Sequence, residues 1–314
     1  MKNKFFQIID TKIREKYKDM FNSENELEEF LESLKRKLMP SIRINTLKIK
    51  KEIVIRRLRE REISIKKIPW VDYGFWIDVE KVGNLIEHSL GYIYAQGPAS
   101  MIPPLVLNPK KDDLVLDLTA APGSKTSQIA QIMNNEGIIF ANDISADRVN
   151  FMISNLQRLG VKNVVVTRIN GRFYHNRIKI KFDKVLLDAP CSGEGHIPKD
   201  FSILNSWGEK ICIGFSKLQI SLINAAFNCL KEGGILVYST CTFDPRENEL
   251  VISWLLEKYE NAKLERIKID GLKYCKGLEE WKKYKFNSEV KKAIRIYPHL
   301  NNTEGFFIAK IKKI

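Results

Sequence analysis

The segment Asp117-Leu-Thr-Ala-Ala-Pro-Gly-Ser-Lys-Thr126 joins an apolar run to a helix, and it decides the fold class. The apolar residues 114–118 predict a buried strand, and the small residues after them predict a tight turn before a helix that runs to Met133. The pattern repeats at once, with a strand over 137–142 and a helix over 146–159. Continuous apolar strands that alternate with amphipathic helices are typical of a parallel sheet covered on both faces. The sequence therefore predicts an α/β fold.

The same rhythm continues toward the C-terminus. A helix over 247–259 is predicted to begin with Asp244 as its N-cap, Pro245 in its first turn and Glu247 three residues after the cap. A last strand over 305–311 ends the series. Three further strands and a long helix are predicted at 164–167, 184–188, 235–239 and 215–230.

The first hundred residues mix helices with short strands. Apolar residues at helical spacing predict a helix over 5–17, and Ser23 with Glu26 resembles a capping box that opens a second helix through Leu38. Pro40 ends that helix. The other elements predicted here are a strand from Ser41, a basic helix over 50–61 and short strands near 63–68 and 75–79.

The change of pattern near Pro103 to Lys111 marks the predicted domain boundary. Neither an internal repeat nor a low-complexity linker interrupts the chain. We therefore expect an N-terminal α+β domain over residues 1–105 and an α/β domain over residues 106–314.

Net charge is unevenly distributed along the chain. The total is +14, made up of +5 over residues 1–108, +1 over 109–260 and +8 over 261–314. A protein that grips nucleic acid with its periphery and performs small-molecule chemistry at its centre has this distribution. The alternative is an ordinary lysine-rich surface. No apolar run is long enough for a membrane helix, and residues 1–10 lack a signal-peptide pattern, so we expect a soluble cytoplasmic protein without a membrane partner.

Five cysteines are present, and none forms a Cys-x-x-Cys pair, which argues against a zinc site; no metal is expected. Cys212, Cys229 and Cys275 are interpreted as small buried hydrophobic residues. Cys191 and Cys241 differ, because they stand in turns directly after two predicted strands, in Asp188-Ala-Pro-Cys-Ser-Gly193 and Ser239-Thr-Cys-Thr242. That placement favours reactive thiols.

The turn over 117–126 restricts the type of ligand. It has a single glycine, whereas a dinucleotide-binding turn needs Gly-x-Gly-x-x-Gly, and Gly123-Ser124-Lys125 breaks the phosphate-binding P-loop pattern. Asp143, at the end of the next strand, stands where an acidic residue binds ribose hydroxyls. A nucleoside such as S-adenosylmethionine fits better than a pyrophosphate or a triphosphate. The alternative is that the small residues serve only the packing of strand against helix.

Three ordered motifs together resemble the Sun/Nop-type RNA cytosine-5 methyltransferases: Ala120-Ala-Pro-Gly-Ser-Lys125, Asp188-Ala-Pro-Cys191 and Ser239-Thr-Cys241. The resemblance covers nearly the whole chain. It implies a Rossmann-like methyltransferase sheet, a small RNA-recognition-like N-terminal domain, S-adenosylmethionine as cofactor and RNA as partner. It extends to Pro40-Ser-Ile-Arg-Ile-Asn-Thr-Leu47, Tyr94-Ala-Gln-Gly-Pro-Ala99, Arg295, Pro298, His299 and Gly305-Phe-Phe307.

The resemblance also assigns roles to residues. It implies that Cys241 attacks carbon 6 of cytosine, that Cys191 assists product release, and that Asp188 contacts ring nitrogen 3 and the amino group. Local sequence chemistry alone does not choose between the two thiols as nucleophile, since DNA cytosine methyltransferases use the Pro-Cys thiol. Lys125 is expected to orient the catalytic groups, or to extend along the surface from the helix start.

The residues expected at the cofactor follow from the same resemblance. Asn170 is a departure, because such enzymes commonly carry an aspartate beside the adenine; its amide can still accept a hydrogen bond. Arg148 is a further candidate, with a solvent-facing position as the alternative. The full set is Ala120, Ala121, Pro122, Gly123, Ser124, Lys125, Thr126, Asp143, Arg148, Asn170 and Asp188.

Basic residues on both flanks are expected to hold the RNA backbone, and aromatic residues to stack on bases or to lie in the core. A methyltransferase of amino groups and a catalytically silent RNA-binding protein are the alternative functions. The first lacks its Asn/Asp-Pro-Pro-aromatic motif here, and intact Asp188, Cys191 and Cys241 argue against the second. The compact chain favours tRNA over ribosomal RNA as substrate, and we expect a monomer. The candidate contacts are Lys35, Arg36, Lys37, Arg43, Arg56, Arg57, Arg59, Lys282, Lys283, Lys285, Lys291, Lys292, Arg295, Trp70, Tyr73, Phe75 and Trp76.

Overall fold

The computed structural model describes residues 2–314, which form two sheets, a two-stranded hairpin and twelve α-helices within that range. The strands are β1 Ser41–Ile44, β2 Ile65–Lys67, β3 Gly74–Ile77, β4 Ile93–Ala95, β5 Leu114–Asp117, β6 Ile138–Asn142, β7 Val164–Thr167, β8 Phe182–Asp188, β9 Leu230–Thr240, β10 Ala262–Glu265, β11 Cys275–Lys276, β12 Glu280–Trp281, β13 Tyr284–Lys285, β14 Ile294–Ile296 and β15 Phe306–Lys313. The helices are α1 Lys2–Ile8, α2 Arg14–Tyr17, α3 Glu24–Lys35, α4 Lys51–Glu60, α5 Ile86–Ser89, α6 Ile102–Leu107, α7 Ser124–Ile132, α8 Ala146–Arg158, α9 Tyr174–Arg177, α10 Ile203–Ser206, α11 Glu209–Asn228 and α12 Glu249–Lys258.

The large sheet has the order β11-β14-β15-β9-β8-β5-β6-β7, with β10 also paired to β15. The five strands β9, β8, β5, β6 and β7 are parallel, as the alternating strands and helices predicted. The chain moves outward from β5 to β6 and β7, then returns to the other side of β5 as β8. A ligand site is expected at such a reversal, beyond the carboxyl ends of β5 and β8.

An antiparallel extension completes the large sheet on the β9 side. The last strand, β15, runs antiparallel to β9 over Phe307–Lys312, and β10 and β14 add to it antiparallel. The sheet is therefore mixed, and the wholly parallel sheet expected from the strand pattern was wrong for this half. The buried pattern of β15 resembles that of a parallel strand because helices and loops cover both of its faces.

The N-terminal sheet is a separate four-stranded antiparallel layer in the order β2-β3-β1-β4. Helix α4 packs Val54 and Leu58 against Ile42 and Ile77 of this sheet. These elements correspond to the small α+β module predicted within residues 1–105, and β4 is a strand that was not predicted.

Helices α1 to α3 do not belong to the core of that small module. Ile13, Tyr17 and Phe30 are fully buried in the same apolar cluster as Leu116 of β5 and Phe243, which follows β9. The N-terminal segment thus packs on the large sheet. The domain boundary at residue 105 stays a prediction, drawn from where the pattern changes along the sequence.

Two helix boundaries differ from the predictions. The N-cap of α3 is Ser23, whose hydroxyl accepts from the Glu26 amide at 3.2 Å as predicted, but the helix ends at Lys35 instead of Leu38. Helix α12 begins at Glu249 rather than near Glu247. Asp244 was the wrong cap, because its carboxylate is fully buried and forms ion pairs with other elements. No helix within residues 2–314 has the length and apolar character of a membrane span.

Candidate active site

A cavity of about 650 Å³ opens where the sheet order reverses, beyond the carboxyl ends of β5, β6, β8 and β9. The turn after β5 contributes Leu118 and Ala121, and the loop after β8 contributes the segment from Asp188 to His196. The predicted residues that line the cavity are Ala121, Asp143, Arg148, Asn170, Asp188, Cys191 and Cys241.

Cys191 and Cys241 face each other with their sulfur atoms 3.2 Å apart, and both are free thiols. They meet because β8 and β9 are parallel neighbours with Asp188 paired to Ser239, so that the two following loops leave the same edge side by side. Ser192 Oγ lies 2.7 Å from Thr242 Oγ1, and Gly195 N donates to Cys241 O at 2.8 Å. The two cysteine loops are therefore bonded to each other.

The two thiols carry opposite electrostatic character. The hydrogen bond with Cys191, followed by the charge of His196, lowers the pKa of Cys241 well below its usual value despite burial. The same hydrogen bond and burial raise the pKa of Cys191 well above its usual value. This arrangement favours the thiolate on Cys241 and the protonated thiol on Cys191.

Asp188 is held on both carboxylate oxygens. Lys125 Nζ donates to Oδ2 at 2.6 Å, and Ser239 Oγ donates to Oδ1 at 2.7 Å. Burial alone would lower the pKa of Lys125, but the charge and hydrogen bond of Asp188, together with the charges of Cys241 and Asp117, outweigh it and the pKa of the ammonium group is raised. Ser100 Oγ also accepts from Lys125 Nζ, at 3.0 Å. Lys125 thus points from the start of α7 into the site, rather than along the surface.

The predicted cofactor residues fall into two groups, and the members of the first group line the cavity. Asp143 is 3% exposed and its Oδ2 lies 3.4 Å from Arg148 Nη1, while Arg148 also donates to the Ala121 carbonyl. Asn170 Oδ1 accepts from the Arg172 amide at 3.2 Å, which leaves its amide nitrogen free to turn toward the cavity.

The second group belongs to the turn after β5 and the start of α7 and does not line the cavity, although Lys125 reaches the cavity wall through its contact with Asp188: Ala120, Pro122, Gly123, Ser124, Lys125 and Thr126. Thr126 is fully buried and donates to Asp117 Oδ2 at 2.7 Å. Gly123 has φ +94°, and a Cβ there would lie 3.1 Å from Met152 Cγ, so a side chain would strain both the backbone and the packing. The prediction that every residue of this loop touches the ligand stays untested, and the geometry gives these six a supporting place.

Several residues at the site were not predicted, among them two ionisable residues next to the cysteines. Glu194 and His196 belong to the loop that starts at Cys191, and their proximity to that cysteine was the available signal. Glu194 is fully buried and its carboxylate accepts from Thr242 Oγ1 at 2.9 Å and Phe243 N at 3.2 Å, directly after Cys241.

The N-terminal helices complete the surroundings of Glu194. Lys16 Nζ lies 2.8 Å from Glu194 Oε1 and 2.8 Å from Asp244 Oδ2, and the Tyr17 hydroxyl donates to Glu194 as well. Glu194, Cys212 and Asp244 lie close enough together to hold a metal ion. The Lys16 ammonium already lies among them and supplies the positive charge.

Several predicted RNA contacts are buried instead. Arg43 is fully buried and donates to Gln96 Oε1 at 2.8 Å and Ser127 Oγ at 2.6 Å, so that it joins the small sheet to α7. Arg295 is 2% exposed and is paired with Glu249. Their places in strands β1 and β14 point them inward. The aromatic residues Trp70, Phe75 and Trp76 lie in the core.

Arg36 and Lys37, by contrast, are exposed and line a groove with residues 298–302. Residues 298–302 of this groove precede buried Glu304, which accepts from the Ser100 amide at 3.3 Å, and Ser100 in turn accepts from Lys125.

Comparison with known families assigns both parts of the chain. Residues 104–312 match the family described as 16S rRNA methyltransferase RsmB/F, and residues 9–98 match the N-terminal domain of 16S rRNA methyltransferase RsmF. The crystal structure of a methyltransferase homolog protein from Pyrococcus horikoshii superposes with a TM-score of 0.81 at 34% identity, covering 97% of this chain and 99% of that one. NSun6 from the same organism, solved with SFG, gives a TM-score of 0.85 at 28% identity, covering 96% and 98%.

Two curated relatives differ in how much of their length the chain spans. The tRNA (cytosine(49)-C(5))-methyltransferase of Pyrococcus abyssi is 48% identical over 312 residues, which are 98% of this chain and 97% of the relative. The ribosomal RNA small subunit methyltransferase F of Vibrio parahaemolyticus is 38% identical over 95% of this chain, which spans only 62% of that protein. The motifs, the fold and these matches agree: the chain belongs to the RsmB/F methyltransferase family.

Proposed function

We propose that this protein is an S-adenosylmethionine-dependent RNA cytosine-5 methyltransferase whose nucleophile is Cys241. The observation that carries the proposal is the pair of thiols 3.2 Å apart beside the Lys125–Asp188 ion pair in a ligand-sized cavity. A single nucleophile would need one thiol; attack and release as separate tasks need two.

The cavity suits a nucleoside cofactor. Its Asp143 carboxylate is positioned to accept from ribose hydroxyls, as a strand-end acid does in such folds. Asn170 and Arg172 line the same wall and offer polar groups for the adenine edge. When bound, S-adenosylmethionine supplies the methyl group that carbon 5 of cytosine accepts. The structure of NSun6 solved with SFG supports a ligand site in this fold.

The protein groups account for activation of the base. The Cys241 thiolate adds to carbon 6, which makes carbon 5 electron-rich enough to accept a methyl group. Asp188 retains free lone pairs beside its contacts to Lys125 and Ser239 and accepts from the cytosine amino group, which holds the pyrimidine edge against this wall of the cavity. A base inside a duplex cannot reach both thiols, so the target cytosine is unpaired or flipped.

Product release follows from the coupling of the two thiols. While Cys241 is a thiolate, its hydrogen bond keeps Cys191 protonated by raising the pKa of Cys191. Once the Cys241 sulfur is bonded to carbon 6, it no longer carries a negative charge. It therefore no longer raises the pKa of Cys191. Cys191 is then able to release its proton to water and, as a base, take the proton from carbon 5. The electrons of that bond form the double bond between carbons 5 and 6, and the bond from carbon 6 to sulfur breaks, which returns the Cys241 thiolate.

We propose tRNA as the substrate rather than ribosomal RNA. The Pyrococcus abyssi tRNA methyltransferase matches this chain over 97% of its own length, whereas the ribosomal RNA methyltransferase F of Vibrio parahaemolyticus extends well beyond the matched 62%. Bisulfite sequencing of total RNA from a strain lacking the gene identifies the cytosine that loses its methyl group. Loss at a ribosomal site with unchanged tRNA would favour the alternative substrate.

The first test of the proposed activity uses the purified protein. Calorimetry is expected to show binding of S-adenosylmethionine and none of NAD, because the turn after β5 lacks a pyrophosphate site. Incubation with a tRNA transcript and labelled S-adenosylmethionine should yield 5-methylcytidine by nucleoside mass spectrometry. Tight NAD binding without S-adenosylmethionine binding, or a methyl group on an amino nitrogen, would overturn the proposal.

A further inference from the structure

The backbone fixes His196 beside Cys241. Gly195, the preceding residue, donates from its amide to the Cys241 carbonyl at 2.8 Å, and its own carbonyl accepts from Gly305 N at 3.0 Å. A Cβ at Gly195 would lie 2.2 Å from the Gly305 carbonyl oxygen, so only glycine permits this approach of three chain segments. His196 therefore enters the cavity from a peptide that is tied to the backbone of the nucleophile, and both residues line that cavity.

Charged groups from three elements face this pair. Lys199 follows in the same loop, and its Nζ lies 3.5 Å from Glu304 Oε1 in the segment before β15. Burial disfavours ionisation of Glu304, but Lys199 and His196 outweigh it and lower the pKa of Glu304 to about 2. Glu304 is thus an anion whose charge acts on the His196 imidazole.

On the Cys241 side, Cys191, Asp188 and Lys125 are the remaining titratable neighbours. The Cys241 charge is the main cause that raises the pKa of His196, with a smaller contribution from Glu304 that Lys199 partly offsets. A protonated imidazole between a thiolate and a carboxylate is electrostatically favourable, and Lys125 is already paired with Asp188.

We propose that His196 is a catalytic residue that takes the thiol proton of Cys241 and holds it as an imidazolium. The inference rests on the proposed function, since it assigns the activation of that nucleophile. The S–H bond of Cys241 breaks and an N–H bond forms on His196 before the substrate arrives. The thiolate then forms the bond to carbon 6, and when that bond breaks on release the thiolate and imidazolium pair is restored.

The test measures the thiolate directly and needs no RNA. The wild-type protein and His196→Gln are treated with iodoacetamide from pH 5 to pH 10, and alkylation of Cys241 is followed by peptide mass spectrometry, which separates it from the other four cysteines. The wild-type profile is expected to have its midpoint well below that of a free thiol. In His196→Gln the midpoint should rise by about one pH unit or more, so that alkylation at a pH below the wild-type midpoint falls about tenfold. His88→Gln, in the small N-terminal module, is the matched control with a wild-type profile.

A second measurement covers the case in which His196→Gln does not fold. Histidine side-chain NMR of the wild type should show an imidazole that remains protonated well above pH 6.5, and Cys241→Ala should return it toward that value. A Cys241 midpoint above pH 8, an unchanged midpoint in His196→Gln, or an imidazole insensitive to Cys241→Ala would each overturn the proposal. These readouts are independent of methyl transfer, so they fail separately from the proposed function.

Discussion

At the residue scale, the site combines an ion pair with a thiol pair on one wall of the cavity. Lys125 and Ser239 fix the Asp188 carboxylate from two directions, while the hydrogen bond between the cysteines distributes a single proton. The motifs predicted which residues meet, because strand ends of a parallel sheet share an edge. They did not predict the order of the two thiol pKa values, since that depends on contacts between separate loops.

Asp117 gives a pH-dependent prediction at this scale. It is 1% exposed, its Oδ1 has no hydrogen-bond partner among the described residues, and burial raises its pKa to about 7. In the unfolded chain the Asp117 carboxyl ionises near pH 4. Its contribution to the free energy of unfolding is therefore fully present below that pH and is lost as the pH rises to about 7, a loss on the order of 4 kcal/mol.

Asp117→Asn should remove most of that pH dependence, measured as the difference between urea unfolding free energies at pH 4.5 and pH 8. Asp112→Asn, at an exposed position one strand-length earlier, is the control and should retain it. Equal pH dependence in wild type and Asp117→Asn would contradict a raised pKa at this position.

At the scale of elements, the N-terminal helices support the cysteine loops. Lys16 of α2 connects Glu194, which bonds the residues after Cys241, to Asp244 in the loop before α12. This contact also explains the wrong helix start. The sequence Asp244-Pro-x-Glu247 satisfies the local rules for an N-cap. The Asp244 carboxylate instead forms an ion pair with buried Lys16. A pattern within four residues carries no information about that distant partner.

Lys16→Met should destabilise the protein by about 3–5 kcal/mol, because it leaves buried Glu194 without a cation and Asp244 with Arg246 alone. Lys18→Met is the matched control, since Lys18 is half exposed and pairs only with Glu15 at the surface, so its effect should stay below about 1 kcal/mol. Urea unfolding of both variants gives the comparison. Similar small losses in the two would show that the buried cluster does not depend on Lys16.

At the scale of the whole molecule, the sequence predicted an α/β sheet preceded by a small module, and both are present. It could not assign α1–α3 to the core of the large sheet, because their amphipathic pattern fits any apolar surface. Nor could it separate surface cations from buried ones: Arg43 and Arg295 stand in short strands whose burial depends on neighbouring layers. The net charge of +14 therefore overstates the cations that can reach RNA.

RNA affinity is nevertheless expected to fall steeply with salt. With about six phosphate contacts, the slope of log affinity against log salt should be about −4 to −5. The double variant Arg36→Glu, Lys37→Glu should reduce the slope by roughly 2, since both residues are exposed cations that line one surface groove. Lys110→Glu, Lys111→Glu changes the same charge before β5, at the opposite edge of the sheet, and should leave the slope unchanged. A flat salt response of the wild type would contradict a phosphate grip.

The division of labour between the two thiols is tested most directly by trapping the covalent intermediate. Cys191→Ala and Cys241→Ala are incubated with labelled RNA and S-adenosylmethionine and run on denaturing gels. A slow-migrating protein–RNA band is expected for Cys191→Ala, because attack and methyl transfer proceed while elimination is hindered. No band is predicted for Cys241→Ala, which lacks the attacking thiolate. A band for Cys241→Ala and none for Cys191→Ala would reverse the two roles, and full methylation by both variants would contradict covalent catalysis by this pair.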